Sequence, residues 1–209
     1  MDSPPDRVGP RRLFVAVDLD EPCRLAVAKL IERLGKRLES GAGVRARVKW
    51  VERENLHLTI RFLGHIAEPQ WQDVHAALQR PLATGPFDLT FDRVGTFPEH
   101  GAPRVVWLGV ATGAVETQRV FEELEQRLRT AGIAPDTRPF HPHLTIGRFR
   151  DRTRRSDGDA LREPLVERLA LVHVDHVTMY QSRLTPQGWR YEPLLRVGLV
   201  PRDGGSPGL

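Results

Sequence analysis

The sequence predicts an α+β fold: two pseudo-symmetric, intertwined lobes of antiparallel sheet with outer helices, meeting at a central cleft. Three observations lead there. The tetrapeptide HLTI occurs twice, at residues 57–60 and 143–146, 86 positions apart. The order strand–helix–strand–strand–helix recurs, with one copy of HLTI in each half. No glycine-rich nucleotide loop interrupts the pattern, and the strands are too mixed with helices for a sandwich.

LFVAVDL (13–19) is a short apolar run between charged residues and reads as a buried strand. Asp20-Glu21-Pro22 then opens a helix, since Asp20 can cap it and Pro22 sits where a missing N–H costs nothing. Val27, Leu30, Ile31, Leu34 and Leu38 recur at helical spacing to about residue 39, where SGAG stops the helix. Strands are expected at 46–51 and 56–63, and a second helix from Pro69 to about 82, with Trp71, Val74, Leu78 and Leu82 on one face. FDLTFDRVGTF (87–97) and RVVWLGV (104–110) read as strands joined by the PEHGAP turn. A third helix over 115–131 uses Val120, Phe121, Leu124 and Leu128 and ends at Gly132. A strand at 143–149, a short helix at 159–168, a long strand at 171–182 and a strand at 189–198 follow, with TPQG (185–188) as the last turn. Alternation in the long strand slips at Asp175, which marks a bulge.

The expected organisation is one domain over residues 12–200 between disordered tails at 1–11 and 201–209, in a chain of 209 residues that is 40% hydrophobic. The single cysteine, Cys23, excludes an internal disulfide and is expected to be a buried structural thiol in a reducing cytoplasm. No apolar segment reaches the roughly 18 residues of a membrane span, so no membrane partner is expected, and the chain is read as a monomer. The net charge of +4 is a mild bias compatible with an anionic substrate. The basic excess clusters at VRARVKW (44–50) and RFRDRTRR (148–155), each readable as a solvated face or a phosphate contact.

In an extended strand side chains alternate, so His57 and Thr59 face one way while Leu58 and Ile60 face the core. The same holds for His143 and Thr145 against Leu144 and Ile146. Two opposed histidines make a general acid–base pair that works near neutral pH, and two threonine hydroxyls can donate to an oxyanion, most simply phosphate. This suits displacement at phosphorus in a cyclic phosphodiester, where the departing sugar oxygen must be protonated. Neither copy places a second histidine or a carboxylate at ligand spacing on its face, so neither a metal nor another cofactor is expected. His141, two positions before His143, is either a cleft residue or a turn residue. HLTIRF (57–62) and HLTIGRF (143–149) share the following Arg-Phe, offset by one glycine.

RRLFVAVDLDEP (11–22), KWVERENLHLTIRFLGHI (49–66), FHPHLTIGRFR (140–150) and MYQSRLTPQGWRYEPLLRVGL (179–199) resemble the RNA 2′,3′-cyclic phosphodiesterases, also called 2′-5′ RNA ligases, of the two-histidine phosphoesterase superfamily. The resemblance implies metal-free hydrolysis of RNA 2′,3′-cyclic phosphate ends to a 2′-phosphate, reversible as 2′-5′ ligation. It implies His57 as proton donor to the leaving 3′ oxygen and His143 as acceptor from water; the residues alone give the pair without a direction. Thr59 and Thr145 match the phosphate-binding threonines. Arg148 falls where the family carries a phosphate-binding arginine, against the alternative of a strand-edge salt bridge. Phe14 and Phe62 are candidate base-stacking residues, against the alternative that both pack in the core. Two other readings stay open: a phosphodiesterase on small cyclic nucleotides or ADP-ribose cyclic phosphate, and an RNA- or nucleotide-binding module.

Overall fold

The computed structural model describes residues 9–40, 47–150, 153–161, 163–186 and 188–200. Residues 1–8 of the tail expected at 1–11, the tail at 201–209, and residues 44–46 and 151–152 of the basic segments lie outside the described residues; Arg11, expected in the tail, instead opens the first strand.

Alternating apolar runs and helical leucine stripes build the elements in the order β1 (Arg11–Asp18), α1 (Glu21–Ser40), β2 (Val48–Trp50), β3 (His57–Ile66), α2 (Glu68–Leu78), β4 (Phe87–Phe97), β5 (Val105–Val110), α3 (Ala114–Thr130), β6 (His143–Phe149), α4 (Arg155–Asp159), β7 (Glu163–Val174), β8 (His176–Thr185) and β9 (Gly188–Gly198). Asp20 caps α1 as expected: its Oδ1 accepts the Cys23 N–H at 2.8 Å. Cys23, Val27, Leu30, Leu34 and Leu38 form the buried stripe of α1. Burial pushes the Cys23 thiol up to about 12, which makes it inert at neutral pH.

Two antiparallel sheets result, ordered β3-β1-β8-β9 and β2-β6-β5-β4-β7. Apart from β2, they correspond strand for strand, β3 with β6 and β1 with β5. The repeated unit is therefore β1-α1-β3 and β5-α3-β6, shorter than the five-element repeat read from sequence. The halves also exchange elements. β2, from the first half, pairs with β6 through Lys49↔Arg148 and Trp50↔Gly147, and the C-terminal β8 pairs with β1. β3 and β6, the two motif strands, approach each other directly between the sheets.

Three sequence expectations change. The helix expected at 159–168 is instead the short α4 followed by β7, which pairs with β4 from Phe87↔Val174 to Val94↔Glu163. The free edge of β4 demands a partner, and Pro164 is tolerated because β7 is the outermost strand. The long strand expected over 171–182 breaks at Asp175, where the chain leaves one sheet and enters the other. The slipped alternation marks that crossing, not a bulge. Finally, α2 stops at Leu78; Leu82, beyond Pro81, pairs with Leu199 instead of extending the helix.

One polar brace ties β3 to the second half. Arg61, only 7% exposed, forms an ion pair with Glu125 of α3 and donates to the carbonyls of Phe62 and, at 2.6 Å, Ala134. Glu125 in turn accepts the Asp136 N–H at 3.1 Å. Asp136 lies 4.0 Å from the same guanidinium, so losing Glu125 leaves Arg61 partly compensated, and the cost should approach the lower end of the about 3–5 kcal/mol of a broken buried pair. Glu125→Ala is expected to lower unfolding stability by that order, measured as the fall in ΔG from urea denaturation.

Candidate active site

Both HLTI segments adopt the same strand conformation. From His57 and from His143 the burial runs identically: His and Thr half-buried, Leu and Ile buried, the next residue also buried, and the sixth exposed. Paired strand registers explain the break in alternation. Against β1, Ala16 pairs with Thr59 and Val15 with Arg61, leaving Ile60 as an extra residue. Against β5, Trp107 pairs with Thr145 and Val106 with Gly147, leaving Ile146 extra. Each motif thus carries a β-bulge at its isoleucine, which re-aims the following side chains. Strict alternation would send Phe62 and Arg148 to the core; the bulge sends both to the cleft.

The structural equivalents are therefore Arg61 with Gly147 and Phe62 with Arg148. The Arg-Phe letters shared by the two segments are not equivalent positions. Gly147 has no space for a side chain, since a Cβ there would lie 2.7 Å from Val48 Cγ1 and 2.8 Å from Trp50 Cε3. β2 closes over the second motif at that point.

The imidazoles are held alike. His57 Nδ1 lies 2.8 Å from the Asn55 carbonyl and His143 Nδ1 lies 2.6 Å from the His141 carbonyl. A carbonyl only accepts, so Nδ1 carries the proton in each ring and Nε2 is the nitrogen left for chemistry. Each ring also meets an aromatic edge-on: Tyr191 at 5.1 Å from His57, and Phe97 at 5.1 Å from His143. Orientation is thus set by the backbone two residues upstream and by an aromatic wall.

Electrostatics separate the two. Desolvation lowers both histidine pKa values below the ordinary 6.5; Arg24 and Arg148 push His57 further down, and Arg148 does the same to His143. Opposing this at His57 are the Asn55 carbonyl and the carboxylate of Asp18, its register partner on β1. His143 has only the His141 carbonyl to favour its charged form; Arg148 and the His141 imidazole disfavour it, and no carboxylate offsets them. Asp18 is itself held by the Thr178 hydroxyl, which donates at 2.7 Å, and by the Tyr180 hydroxyl.

His57, Thr59, His143, Thr145 and Arg148 line one cleft of about 870 Å³ between the sheets, and Phe14 and Phe62 line it too, so the structure brings all seven sequence candidates together. Among the described residues no carboxylate pairs with Arg148, and it acts on both imidazoles. Phe62 is 47% exposed on the cleft wall, which corrects the alternative of core packing. Phe14 is 3% exposed, stacked on Tyr180 at 5.3 Å and packed 4.9 Å from His57, so it supports the imidazole instead of offering a face. His141, read as either a cleft or a turn residue, lines the cleft, and its carbonyl also holds His143, a role the sequence did not suggest. Asp18, Tyr191 and Phe97 were missed. Asp18 had a signal, as the one charge inside LFVAVDL; the aromatics had none, because tertiary packing alone brings them to the rings. Among the described residues no cluster of three His, Cys, Asp or Glu stands ready to hold a metal, and no helix is long and apolar enough to cross a membrane.

Fold and site together define the two-histidine phosphoesterase class. The description "2′-5′ RNA ligase superfamily" matches residues 21–186, and the chain belongs to that family. It is 36% identical over 183 residues to the RNA 2′,3′-cyclic phosphodiesterase of Archaeoglobus fulgidus, covering 88% of this chain and 97% of that protein. The enzyme of the same name from Aeropyrum pernix is 36% identical over 172 residues, covering 80% and 96%. Similar solved structures include TT0787 of Thermus thermophilus, with TM-score 0.71 and 27% identity over 91% of this chain and 98% of that one. Escherichia coli LigT complexed with 3′-AMP follows at TM-score 0.68 and 25% identity over the same shares, 91% and 98%.

The Asp18 carboxylate favours the imidazolium of His57 across the β1–β3 register. Asp18→Asn keeps the shape and removes the charge. The expected outcome is a lower His57 pKa with His143 unchanged, read from an NMR titration of the two rings.

Proposed function

We propose that this chain is a metal-independent hydrolase that opens RNA 2′,3′-cyclic phosphate ends to 2′-phosphates by paired-histidine acid–base catalysis. The observation that carries this reading is the duplicated, carbonyl-locked imidazole, with a threonine beside each and one arginine acting on both. The names of the relatives support the substrate class.

In the proposed reaction Thr59, Thr145 and Arg148 hold the non-bridging oxygens of the cyclic phosphate. His143 Nε2 takes a proton from water as the oxygen attacks phosphorus. The bond from phosphorus to O3′ breaks, and the proton on His57 Nε2 moves to that oxygen. The product carries a 2′-phosphate and a free 3′-hydroxyl. The Asp18 asymmetry supports this direction: arginines disfavour the charged form of both rings, but only His57 has a carboxylate that favours the protonated form a donor needs. With a 5′-hydroxyl in place of water the same steps run toward 2′-5′ ligation.

His57→Ala and His143→Ala are each expected to lower kcat by about 10²–10⁴-fold. The assay uses a short RNA ending in 2′,3′-cyclic phosphate, in EDTA, and wild type is expected to give only the 2′-phosphate. A 3′-phosphate product would reverse the leaving group, and loss of activity in EDTA restored by zinc would sink the metal-free mechanism.

Because both histidine pKa values lie below 6.5, kcat/KM should follow a bell centred on the acid side of that value. Its acid limb follows protonation of the base, and its alkaline limb follows loss of the proton from the acid. Bound phosphate stabilises the imidazolium, so the alkaline limb of kcat should lie at higher pH than that of kcat/KM. Full pH–rate profiles of both constants check this.

A further inference from the structure

The cleft runs past His57 toward the β8–β9 hairpin, where an aromatic residue is left without a role. Trp189 lies two residues before Tyr191 on β9, so both share one strand face about 6–7 Å apart. Tyr191 stands edge-on to His57; Trp189 therefore sits one step further out along the cleft wall. The residue is 37% exposed and lines the cleft, so part of this large aromatic side chain stays open to a ligand.

It is not a loose surface residue. The Arg12 guanidinium lies over its ring at 4.8 Å, and the Asn55 side chain donates to its carbonyl at 3.3 Å. Asn55 is also the residue whose carbonyl holds His57. The distance from Trp189 to the reacting imidazole is thus set through a single residue. Among the described residues no carboxylate pairs with Arg12. The cleft is lined by Arg12, Lys49, Arg138 and Arg148 against Glu52 and Asp136, an excess of positive charge.

We infer that Trp189 and Arg12 form a second-nucleotide subsite, where the base preceding the cyclic phosphate terminus stacks on the indole and the bridging phosphate meets the guanidinium. This rests on the RNA-end reading and deepens it, since it makes an oligonucleotide a better substrate than a mononucleotide. An exposed indole beside a guanidinium is the pairing that single-stranded nucleic acid favours, and stacking one base on it is worth about 1–3 kcal/mol, or roughly 5–150-fold. Among the described residues no ring contact joins Trp189 to either histidine, so chemistry at the terminal nucleotide is not expected to depend on it.

The test compares a dinucleotide ending in 2′,3′-cyclic phosphate with a nucleoside 2′,3′-cyclic phosphate, using wild type, Trp189→Ala, Trp189→Phe and Arg12→Gln. Trp189→Ala should lower kcat/KM on the dinucleotide about tenfold and leave the mononucleotide within about twofold. Trp189→Phe, which keeps a stacking face, should recover most of the loss, and Arg12→Gln should reduce the salt dependence of dinucleotide turnover. Equal losses on both substrates, or none on either, would overturn the subsite. If wild type turns over neither substrate, the reaction reading fails by itself. Calorimetric binding of the 2′-phosphorylated dinucleotide then decides: about tenfold weakening by Trp189→Ala supports the subsite, and unchanged affinity refutes it.

Discussion

One extra residue in each motif strand governs the site. The bulges at Ile60 and Ile146 let two consecutive residues turn inward and return the next one to the cleft. That geometry puts His, Thr and the sixth residue on one face and keeps Leu and Ile in the core. The inward position is spent differently in the two copies. In the first it holds Arg61, whose buried pair with Glu125 binds β3 to the second half; in the second it holds Gly147, which lets β2 lie close. The outward position also diverges, into an aromatic ring at Phe62 and a cation at Arg148. One backbone device thus yields a symmetric pair of imidazoles within an asymmetric surround.

Asymmetry is what a two-proton reaction needs. Two imidazoles in equal surroundings would favour neither direction of transfer. Here the β1–β3 register places Asp18 opposite His57, and nothing of its charge faces His143. Desolvation drives both pKa values down, so the carboxylate only partly offsets it. In the proposed reaction a bound phosphate anion would add to its effect and favour the imidazolium of His57.

Exchange of strands between the halves makes the cleft a property of the whole fold. β2 crosses to cover the second motif, and β8 and β9 return to complete the first sheet. Tyr191 of that returning hairpin is the wall against which His57 is set. Neither motif is therefore supported by its own half alone, and the Arg61 brace closes the arrangement from the helical side.

Much was legible in the sequence because strand physics is local. Period-two alternation placed His57, Thr59, His143 and Thr145 on one face, and the helical leucine stripes of α1 and α3 were readable at their spacing. The helix expected at 159–168 was misjudged because the strand state of most of it comes from a partner, β4, distant in sequence. The Asp175 crossing was visible only as broken alternation, since a bulge and a change of sheet leave the same local trace. The shared Arg-Phe misled for a related reason: letters do not show which residue a register skips. By itself the sequence determined the paired imidazole–hydroxyl faces, because side-chain direction in a strand depends only on neighbours. Tertiary structure alone decided the bulged registers, the Asp18 asymmetry and the walls of the cleft, because each depends on which distant strand supplies the hydrogen bonds.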